Sequence, residues 1–444
     1  MIAVIGAGMS GLACAWQLRR RGVDAVVYEA SDRVGGKVLS LDLAPGLMEA
    51  GPNTLLADEA LWQWLLELGL TPLAPAAGPQ RRFVLRHGHY RALPDGPASL
   101  LAGGYFSPGA KWRLLSEPWR RPAEPDASET VAAFFRRRLG EEVLATLVDP
   151  FIGGVFAGDP EELLMRECLP ALAAAEREAG SLALGMWRRW RRGETRRKRM
   201  CTLAGGLSSL AERLARDLDV RLGCPALALE RAGEGWRLWT PQGPQPASAV
   251  VLALPAPQAA RLLEPCEPEW ARACAALPYA PLTVVATVAA ERTLRRPLEG
   301  FGGLHPASEQ ALALGHLMSS RIYPHTAAPG SRLLTSFIGG RRQAELAALP
   351  DQALLRRLNL ELARLFGLEG EPLSQRIVRW PQALPQGTAA MAALRPLAAA
   401  ASERGLHVCA NWLDGVSLPD CLAKGRALAD RLAAQALHCR GSGI

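Results

Sequence analysis

Short apolar runs and amphipathic stretches alternate along the chain, and their periods predict its elements. Ile2 to Ile5 reads as a short buried strand, Ser10 to Arg21 as a helix stopped by Gly22, and Asp24 to Tyr28 as a second strand. The alternation returns far downstream. Leu203 to Leu218 reads as a glycine turn entering an amphipathic helix, followed by a strand-like Val220 to Leu229. ASAVVLALPAPQAARLL gives a buried strand ended by Pro255, and GLHVCANWLDGVSLPDCLAKGRALADRLAAQAL gives a strand, a polar turn and a long helix. Three separated segments, 1–80, 200–256 and 399–444, are therefore expected to build one α/β domain with the remaining chain inserted into it. Residues 96–190 are helix-rich, with SETVAAFFRRRLGEEVLATLV showing helical spacing. Residues 81–95 and 257–398 form a sheet-based unit, with strand-like runs such as LTVVATVAA and RLLTSFIGG among Pro- and Gly-marked turns.

The turn after the first strand, VIGAGMSG, carries Gly6, Gly8 and Gly11. Gly6 permits a tight turn, Gly8 leaves room for a pyrophosphate to approach the backbone, and Gly11 lets helix and strand pack closely. Met9 and Ser10 open the helix, whose free N–H groups would face the anion. The second strand ends in Glu29, followed by Ala30, where an acidic residue accepts hydrogen bonds from an adenosine ribose. Just beyond lies Arg33-Val34-Gly35-Gly36-Lys37, two cations flanking a glycine pair, expected to be a second phosphate-contacting element. Flavoproteins carry such an element, so the dinucleotide expected is FAD.

Composition narrows the picture. The chain has 444 residues, 49% of them hydrophobic, enough for two or three packed units. No uninterrupted apolar segment approaches the about 20 residues of a membrane span, and the first strand begins at residue 2; the expectation is a cytoplasmic protein. Nine cysteines lie scattered with no CxxC pair, so neither a zinc site nor a disulfide framework is suggested, and no metal is expected. Net charge is +8, with 47 arginines and four lysines. The basic residues cluster in Lys111 to Pro122 and, more densely, in Trp187 to Arg199, each interleaved with tryptophan. Neither block belongs to a nucleic-acid-binding motif, and nucleic acid is not expected as a partner. Trp beside Arg suits a lipid headgroup layer; a solvated loop is the equal alternative.

The blocks VIGAGMSGL, YEASDRVGGK, EAGPNTLL, PFIGGVFAGDPEELLMR, TLAGGLSSL, GFGGLHP, SSRIYP, WPQALPQ and NWLDGVSLPDCLAKG run almost end to end. In them the chain resembles the flavin-containing amine oxidase superfamily and, within it, the oxygen-dependent protoporphyrinogen oxidase family. GGVFAGDP, GFGGLHP and the C-terminal block are the most specific. Two positions depart from the family pattern: Gly387 follows Gln386 where a tyrosine is usual, and Met318 stands where many members place an aromatic ring.

The resemblance implies a discontinuous FAD-binding Rossmann-like (GR2-type) domain, an inserted sheet-based substrate domain and a helical membrane-associating subdomain. It implies six-electron oxidation of protoporphyrinogen IX to protoporphyrin IX, as successive hydride transfers to N5 of a noncovalent FAD with O2 as acceptor. No acid–base side chain is needed, which accounts for the absence of a triad or paired carboxylates. Gly51, Pro52, Asn53, Thr54 and Trp380 match motifs that pass near the isoalloxazine, and Thr202 to Gly206 would anchor the segment whose strand, around Ala226, passes the adenine. Gly415, Val416 and Ser417 lead into the last helix, whose N-terminus would face the flavin. Arg82 matches an arginine opposite a substrate propionate, a fit for its planar fork. Gly154, Val155, Phe156, Leu304 and Met318 match a macrocycle wall. A ferrochelatase-type next enzyme, the inner face of the cell membrane and a second copy of the chain are the partners implied. The competing readings are oxidation of coproporphyrinogen III to coproporphyrin III, an amine oxidase, and a noncatalytic flavin-bound tetrapyrrole-handling protein. Amine oxidases generally use a lysine from the substrate domain, and no lysine lies between Lys198 and Lys424.

Overall fold

The computed structural model describes residues 1–43, 46–77, 81–120, 126–194 and 198–441. The ends of the expected 1–80 and 399–444 segments and parts of both basic blocks (Arg121, Pro122 and 195–197) lie outside the described residues.

The first segment contains β1 (Ile2–Ile5), α1 (Met9–Arg20), β2 (Ala25–Tyr28), the hairpin β3 (Ser40–Leu43) and β4 (Gly46–Glu49), and α2 (Glu59–Glu67). Next come β5 (Arg82–Arg86) and β6 (His89–Ala92). The helical stretch includes α3 (Pro108–Leu115), α4 (Val131–Arg138), α5 (Asp149–Phe156), α6 (Pro170–Ala179) and α7 (Leu182–Arg191). The chain then returns through α8 (Ser208–Ala215), β7 (Asp219–Arg221) and β8 (Ala249–Leu252). The long insertion supplies β9 (Tyr279–Ala290), β10 (Gly302–Leu304), β11 (Ala313–Leu317), β12 (Ser331–Gly339), α9 (Asp351–Phe366) and β13 (Ser374–Pro385). Finally β14 (Leu406–Val408) leads to α10 (Leu418–Gly441).

Two sheets organise these elements. A parallel five-stranded sheet has the order β7-β2-β1-β8-β14, so all three separated segments contribute to it. β1, β2 and β8 are buried on both faces, as parallel sheets require, while the edge strand β7 is half open to solvent. Ile2 and Val4 point into the core under α1, α8 and α10, while Ala3 and Ile5 point into the opposite core with Trp236 and Trp270. The strand-like run Val220 to Leu229 is broken in the structure. Gly223 adopts φ +59° and Pro225 follows, so β7 ends at Arg221 and a separate strand, Ala228–Ala232, begins an antiparallel meander.

The second sheet has seven strands in the order β13-β9-β12-β11-β10-β5-β6. It is antiparallel except where β10 runs beside β5, with Gly302 opposite Arg82 and Leu304 opposite Val84. Helix α9 covers one face, burying Leu354, Leu358 and Leu362 against Val285, Leu334 and Ile338. The helical stretch has its own core around Phe134, Phe135, Leu144 and Ile152.

Candidate active site

β1 delivers the chain into the glycine turn. Gly6 sits at φ +106°, and a Cβ there would lie 2.7 Å from the Ala253 carbonyl oxygen. A Cβ on Gly11 would come within 2.1 Å of the Gly6 carbonyl oxygen, so a side chain at Gly11 would force α1 off the turn that leaves β1, and one at Gly6 would press on the chain leaving β8. Gly8 is different: a Cβ there would meet nothing within 4 Å. The space above the start of α1 is open, no side chain caps that helix, and no acidic residue lies in its first turn. The N–H groups at Met9 and Ser10 thus lie beside an open cradle suited to a pyrophosphate.

At the end of β2 the Glu29 carboxylate is held by the Ala7 N–H (2.7 Å), the Ser31 N–H (2.9 Å) and the Ser31 hydroxyl (2.7 Å). Ala30 is exposed beside it. The Cys224 N–H donates to the Glu29 carbonyl, which draws the connector containing Ala226 to the same edge. The Arg33–Lys37 loop crosses the glycine turn. The Gly35 N–H donates to the Ala7 carbonyl, and a Cβ on Gly36 would lie 3.2 Å from Gly8 Cα. The Arg33 guanidinium folds onto its own loop, donating to the Gly36 carbonyl at 2.6 Å. Lys37 leaves the loop altogether: Nζ donates to the Ala383 carbonyl of β13 at 2.8 Å and lies 5.2 Å from the Tyr279 ring centre. Burial pulls its pKa down to about 8.

This lysine begins a seam between the two sheets. A Cβ on Gly51 would sit 1.9 Å from the Lys37 carbonyl oxygen, so glycine is required for the two backbones to pass. The Trp380 indole N–H donates to the Ala50 carbonyl at 2.7 Å, fastening the seam to β13. Asn53 folds back onto the Gly51 carbonyl (3.0 Å), and Pro52 and Thr54 are half-buried beside it. Glu49 anchors the other end, accepting from the Leu207 N–H (2.7 Å) at the start of α8 and from the Ser40 hydroxyl (2.8 Å) of β3. Burial pushes its pKa up to about 7, against the lowering effect of those two hydrogen bonds.

Ser10 lies against Cys409 and Gly425, and further along Gln17 and Arg21 bind Asp430, so α1 and α10 run parallel with both N-termini at one end. The turn into α10 is tightly built. Asp414 and Gly415 take φ of +56° and +106°, and Ser417 and Asp420 bind each other at the helix start. Lys424 reaches back to donate to the carbonyls of Ala410 (2.9 Å), Gly415 (2.6 Å) and Leu413. Val416 is half-buried, and its neighbours Gly415 and Ser417 are open to solvent.

The expected substrate residues divide. Arg82 is exposed on β5, its guanidinium 5.6 Å from the Phe301 ring centre. Its neighbour Arg86 is committed elsewhere, donating to the Tyr105 carbonyl at 2.6 Å and stacking on that ring. Gly154 and Leu304 meet directly: a Cβ on Gly154 would lie 2.3 Å from a Leu304 methyl, so α5 packs on β10 through the missing side chain. Val155 is exposed, and Phe156 is half-buried with its carbonyl accepting from the Gln386 amide at 3.1 Å. Met318 is placed apart, buried in the core beneath the seven-stranded sheet. The glycine at 387 has a steric reason: a Cβ there would come within 2.7 Å of the Cys168 sulfur.

Behind β10, on the α9 side, lie His305, His316 and Glu361. Their polar atoms already have partners. His305 Nδ1 donates to the Ala313 carbonyl (2.7 Å), leaving Nε2 to accept from the Tyr90 hydroxyl (2.7 Å). His316 binds Ser336 (2.8 Å) and Glu361 (3.2 Å). Burial drives the His305 pKa down to about 3, so the ring is neutral.

Sequence reasoning did not single out Phe301, Glu49 or Lys424. Lys424 had a signal, as one of four lysines in a chain with 47 arginines. A lysine kept against that bias marks a place where three rotatable N–H donors fit and a planar guanidinium does not.

Comparison with known proteins matches residues 9–433 to the family of flavin containing amine oxidoreductases. A protein of Arabidopsis thaliana named protoporphyrinogen oxidase 2, chloroplastic/mitochondrial, is 31% identical over 425 residues, covering 86% of this chain and 84% of its own. A Bacillus subtilis protein named coproporphyrinogen III oxidase is 26% identical over 458 residues, covering 96% of each chain. The crystal structure of a provisionally named protoporphyrinogen oxidase from Exiguobacterium sp. 255-15 superposes with a TM-score of 0.81 at 25% identity, over 98% of both chains.

Proposed function

The chain belongs to the flavin-containing amine oxidoreductase family, and from that premise we propose that it is an FAD-dependent oxidase converting protoporphyrinogen IX to protoporphyrin IX in haem biosynthesis, with O2 as electron acceptor. The observation that carries the reading is the Gly154–Leu304 contact. GGVFAGDP and GFGGLHP, the two internal blocks most specific to porphyrinogen oxidases, lie far apart in sequence yet pack directly on each other.

FAD, when bound, takes up the electrons released as the macrocycle aromatises. The protein's residues hold and orient. The Gly6–Gly11 turn and the start of α1 receive the pyrophosphate, and Glu29 the ribose. The parallel N-termini of α1 and α10 place two positive dipole ends at one edge, where Gly415, Val416 and Ser417 stabilise negative charge. The seam fastened by Trp380 and Lys37 fixes the cofactor segments against the sheet that carries Arg82. In this reading residues 1–80, 200–256 and 399–444 serve the cofactor, 81–95 and 257–398 the substrate, and 96–190 a membrane surface.

The membrane assignment is supported by four exposed tryptophans. Trp112, Trp119, Trp187 and Trp190 are 72%, 83%, 49% and 67% exposed on α3, the turn after it and α7, which pack together, with arginines interleaved. No helix among the described residues is long and apolar enough to cross a membrane; the attachment proposed is interfacial, on the inner face of the cell membrane, through this tryptophan and arginine face. An apolar product is then released at the lipid surface for the next, ferrochelatase-type enzyme.

The Bacillus subtilis relative favours a second reading, oxidation of coproporphyrinogen III. Steady-state oxidation of both porphyrinogens by the purified holoenzyme decides between them. Faster turnover of coproporphyrinogen overturns the first reading, and oxidation of neither overturns both.

A further inference from the structure

Four polar side chains meet between α9 and the seven-stranded sheet: Tyr90 of β6, His305 just after β10, His316 of β11 and Glu361 of α9. They sit among Leu334, Leu358 and Phe366, in an apolar core where polar groups are costly. His305, His316 and Glu361 are 5%, 1% and 8% exposed, and their ligating atoms all lie within 4.8 Å of one another.

The hydrogen bonds of the cluster are of two kinds. One kind runs outward. His305 Nδ1 is held by the Ala313 carbonyl and His316 Nδ1 by the Ser336 hydroxyl, while the Glu361 carboxylate accepts from the N–H groups of Leu312 (2.7 Å) and Ala313 (3.1 Å). These contacts fix both ring planes and leave both Nε2 atoms for contacts within the cluster. Metal-ligating histidines are oriented in the same way, through the other ring nitrogen. The second kind joins the four side chains to one another, Tyr90 Oη to His305 Nε2 and His316 Nε2 to Glu361 Oε1. Each of these two bonds is bridged by one hydrogen. A divalent ion in place of the two protons leaves the charge of the buried cluster unchanged, whichever tautomer His316 adopts.

We infer that the cluster is a structural site for a divalent transition-metal ion, with zinc the best fit. Two imidazole nitrogens, a carboxylate oxygen and a phenol oxygen make a tetrahedral set for an ion about 2.0–2.2 Å from each. Tetrahedral ligand atoms then stand about 3.3 Å apart, so the widest gap closes by at most about 1.5 Å. Magnesium and calcium take oxygen ligands and do not suit two imidazoles. Four protein donors leave no position for a substrate, so the ion ties β6 and α9 to β11. It enters as these elements come together in folding, and no channel from the surface is needed. The scattered cysteines argue against a thiolate site, not against one made of imidazoles.

The test counts metal in the FAD-loaded protein, purified from zinc-supplemented medium and passed over a chelator to strip surface ions. About one zinc per chain is expected. His316→Asn keeps an amide nitrogen for Ser336, and Glu361→Gln keeps an oxygen for the Leu312 and Ala313 N–H groups. Both should lose the metal and retain normal flavin. Protein made with cobalt instead should show ligand-field bands to the red of the flavin, absent from Glu361→Gln. Zinc-replete protein should melt at a higher temperature than protein from zinc-depleted medium, a difference that neither variant shows. If a variant does not fold, the wild-type count and cobalt bands decide. Wild-type protein without stoichiometric metal from either medium, or metal retained undiminished in a folded variant, overturns the assignment.

Discussion

Arg138 and Glu117 form an ion pair sealed within the helical unit, their side chains 0% and 2% exposed. The Glu117 carboxylate also accepts from the Ser181 hydroxyl (2.6 Å), the Leu182 N–H (2.9 Å) and the Ala183 N–H (3.2 Å), so it caps α7 from a distant part of the chain. Arg138 also donates to the carbonyls of Arg120 and Gly180, and its Nε lies 3.3 Å from the Glu176 carboxylate. One buried pair thereby holds together the two stretches that carry the exposed tryptophans.

Breaking that pair should cost more than deleting a surface charge. Glu117→Ala removes the more deeply buried of the two carboxylates beside the sealed guanidinium, leaving it Glu176 at 3.3 Å, and is expected to destabilise the protein by up to about 3–5 kcal/mol, read from urea unfolding. Burial alone would raise the Glu117 pKa, but its hydrogen bonds and Arg138 outweigh this and hold it below the usual value. A carboxyl whose folded pKa is depressed stabilises above the unfolded pKa, and this contribution is lost as pH falls through the folded one. The variant's deficit should therefore shrink in acid.

The tryptophan face predicts salt-sensitive binding to anionic vesicles, because headgroup attraction is screened by salt. Sedimentation with vesicles should show binding at low salt and release at high salt. Replacing Trp119 and Trp190 with alanine should weaken it without altering flavin content. No binding at low salt would leave the basic blocks as solvated surface.

At Arg82 the expected loss on substitution by alanine is tenfold to hundredfold in kcat/KM, corresponding to about 1.5 to 3 kcal/mol for a charge-assisted contact. Arg82→Lys should recover part of it, since the charge returns without the fork. Arg81→Ala is the control for the general field. Arg86→Ala should act differently, lowering the melting temperature because its contacts to Tyr105 are structural. Equal kinetic effects at all three positions would remove Arg82 from the substrate site.

Glu49 makes stability depend on pH in the opposite sense to Glu117. Its folded pKa of about 7 lies above the ordinary 4.5, so the folded state binds the proton more tightly. Stability should be highest below about pH 4.5 as far as this group is concerned, and fall by up to the order of 3 kcal/mol as pH rises to about 7. Glu49→Gln should flatten that slope in thermal melts taken across the range.

Acid precipitation should release all the flavin into the supernatant. The cysteines flanking the turn before α10, Cys409 and Cys421, are buried, and burial pushes the Cys409 thiol up to about 12. Neither is a ready nucleophile for a thioether. Yellow colour retained in the pellet would overturn the noncovalent assignment.

What could be read from sequence was local. Gly6, Gly8 and Gly11 announce their roles because a turn's demand for small residues is written into consecutive positions, and the apolar runs of β1, β2 and β8 are long enough to show burial. The direction of Lys37 was not legible, because its acceptor, Ala383, is brought to it by the packing of a different sheet. Glu117 looked like one acid in a basic block; its partners at 138 and 181–183 are supplied by tertiary folding. Met318 lies beneath the sheet because the chain turns into a helix at Ser319, a change of direction that the apolar pattern does not encode.

The parallel sheet also sets a schedule for biosynthesis. β1 and β2 emerge from the ribosome first, but β1 awaits β8, with Ile2 opposite Ala249, β2 awaits β7, with Val27 opposite Val220, and β8 in turn awaits β14, with Val250 opposite Leu406. Pairings between such distant residues form late, after the loops between them close. The helical unit and the seven-stranded sheet can meanwhile condense around cores of their own. Cofactor capture thus becomes a checkpoint on completed synthesis: a chain halted before Leu406 contains the whole glycine turn but lacks the edge strand and the helix that hold it in shape.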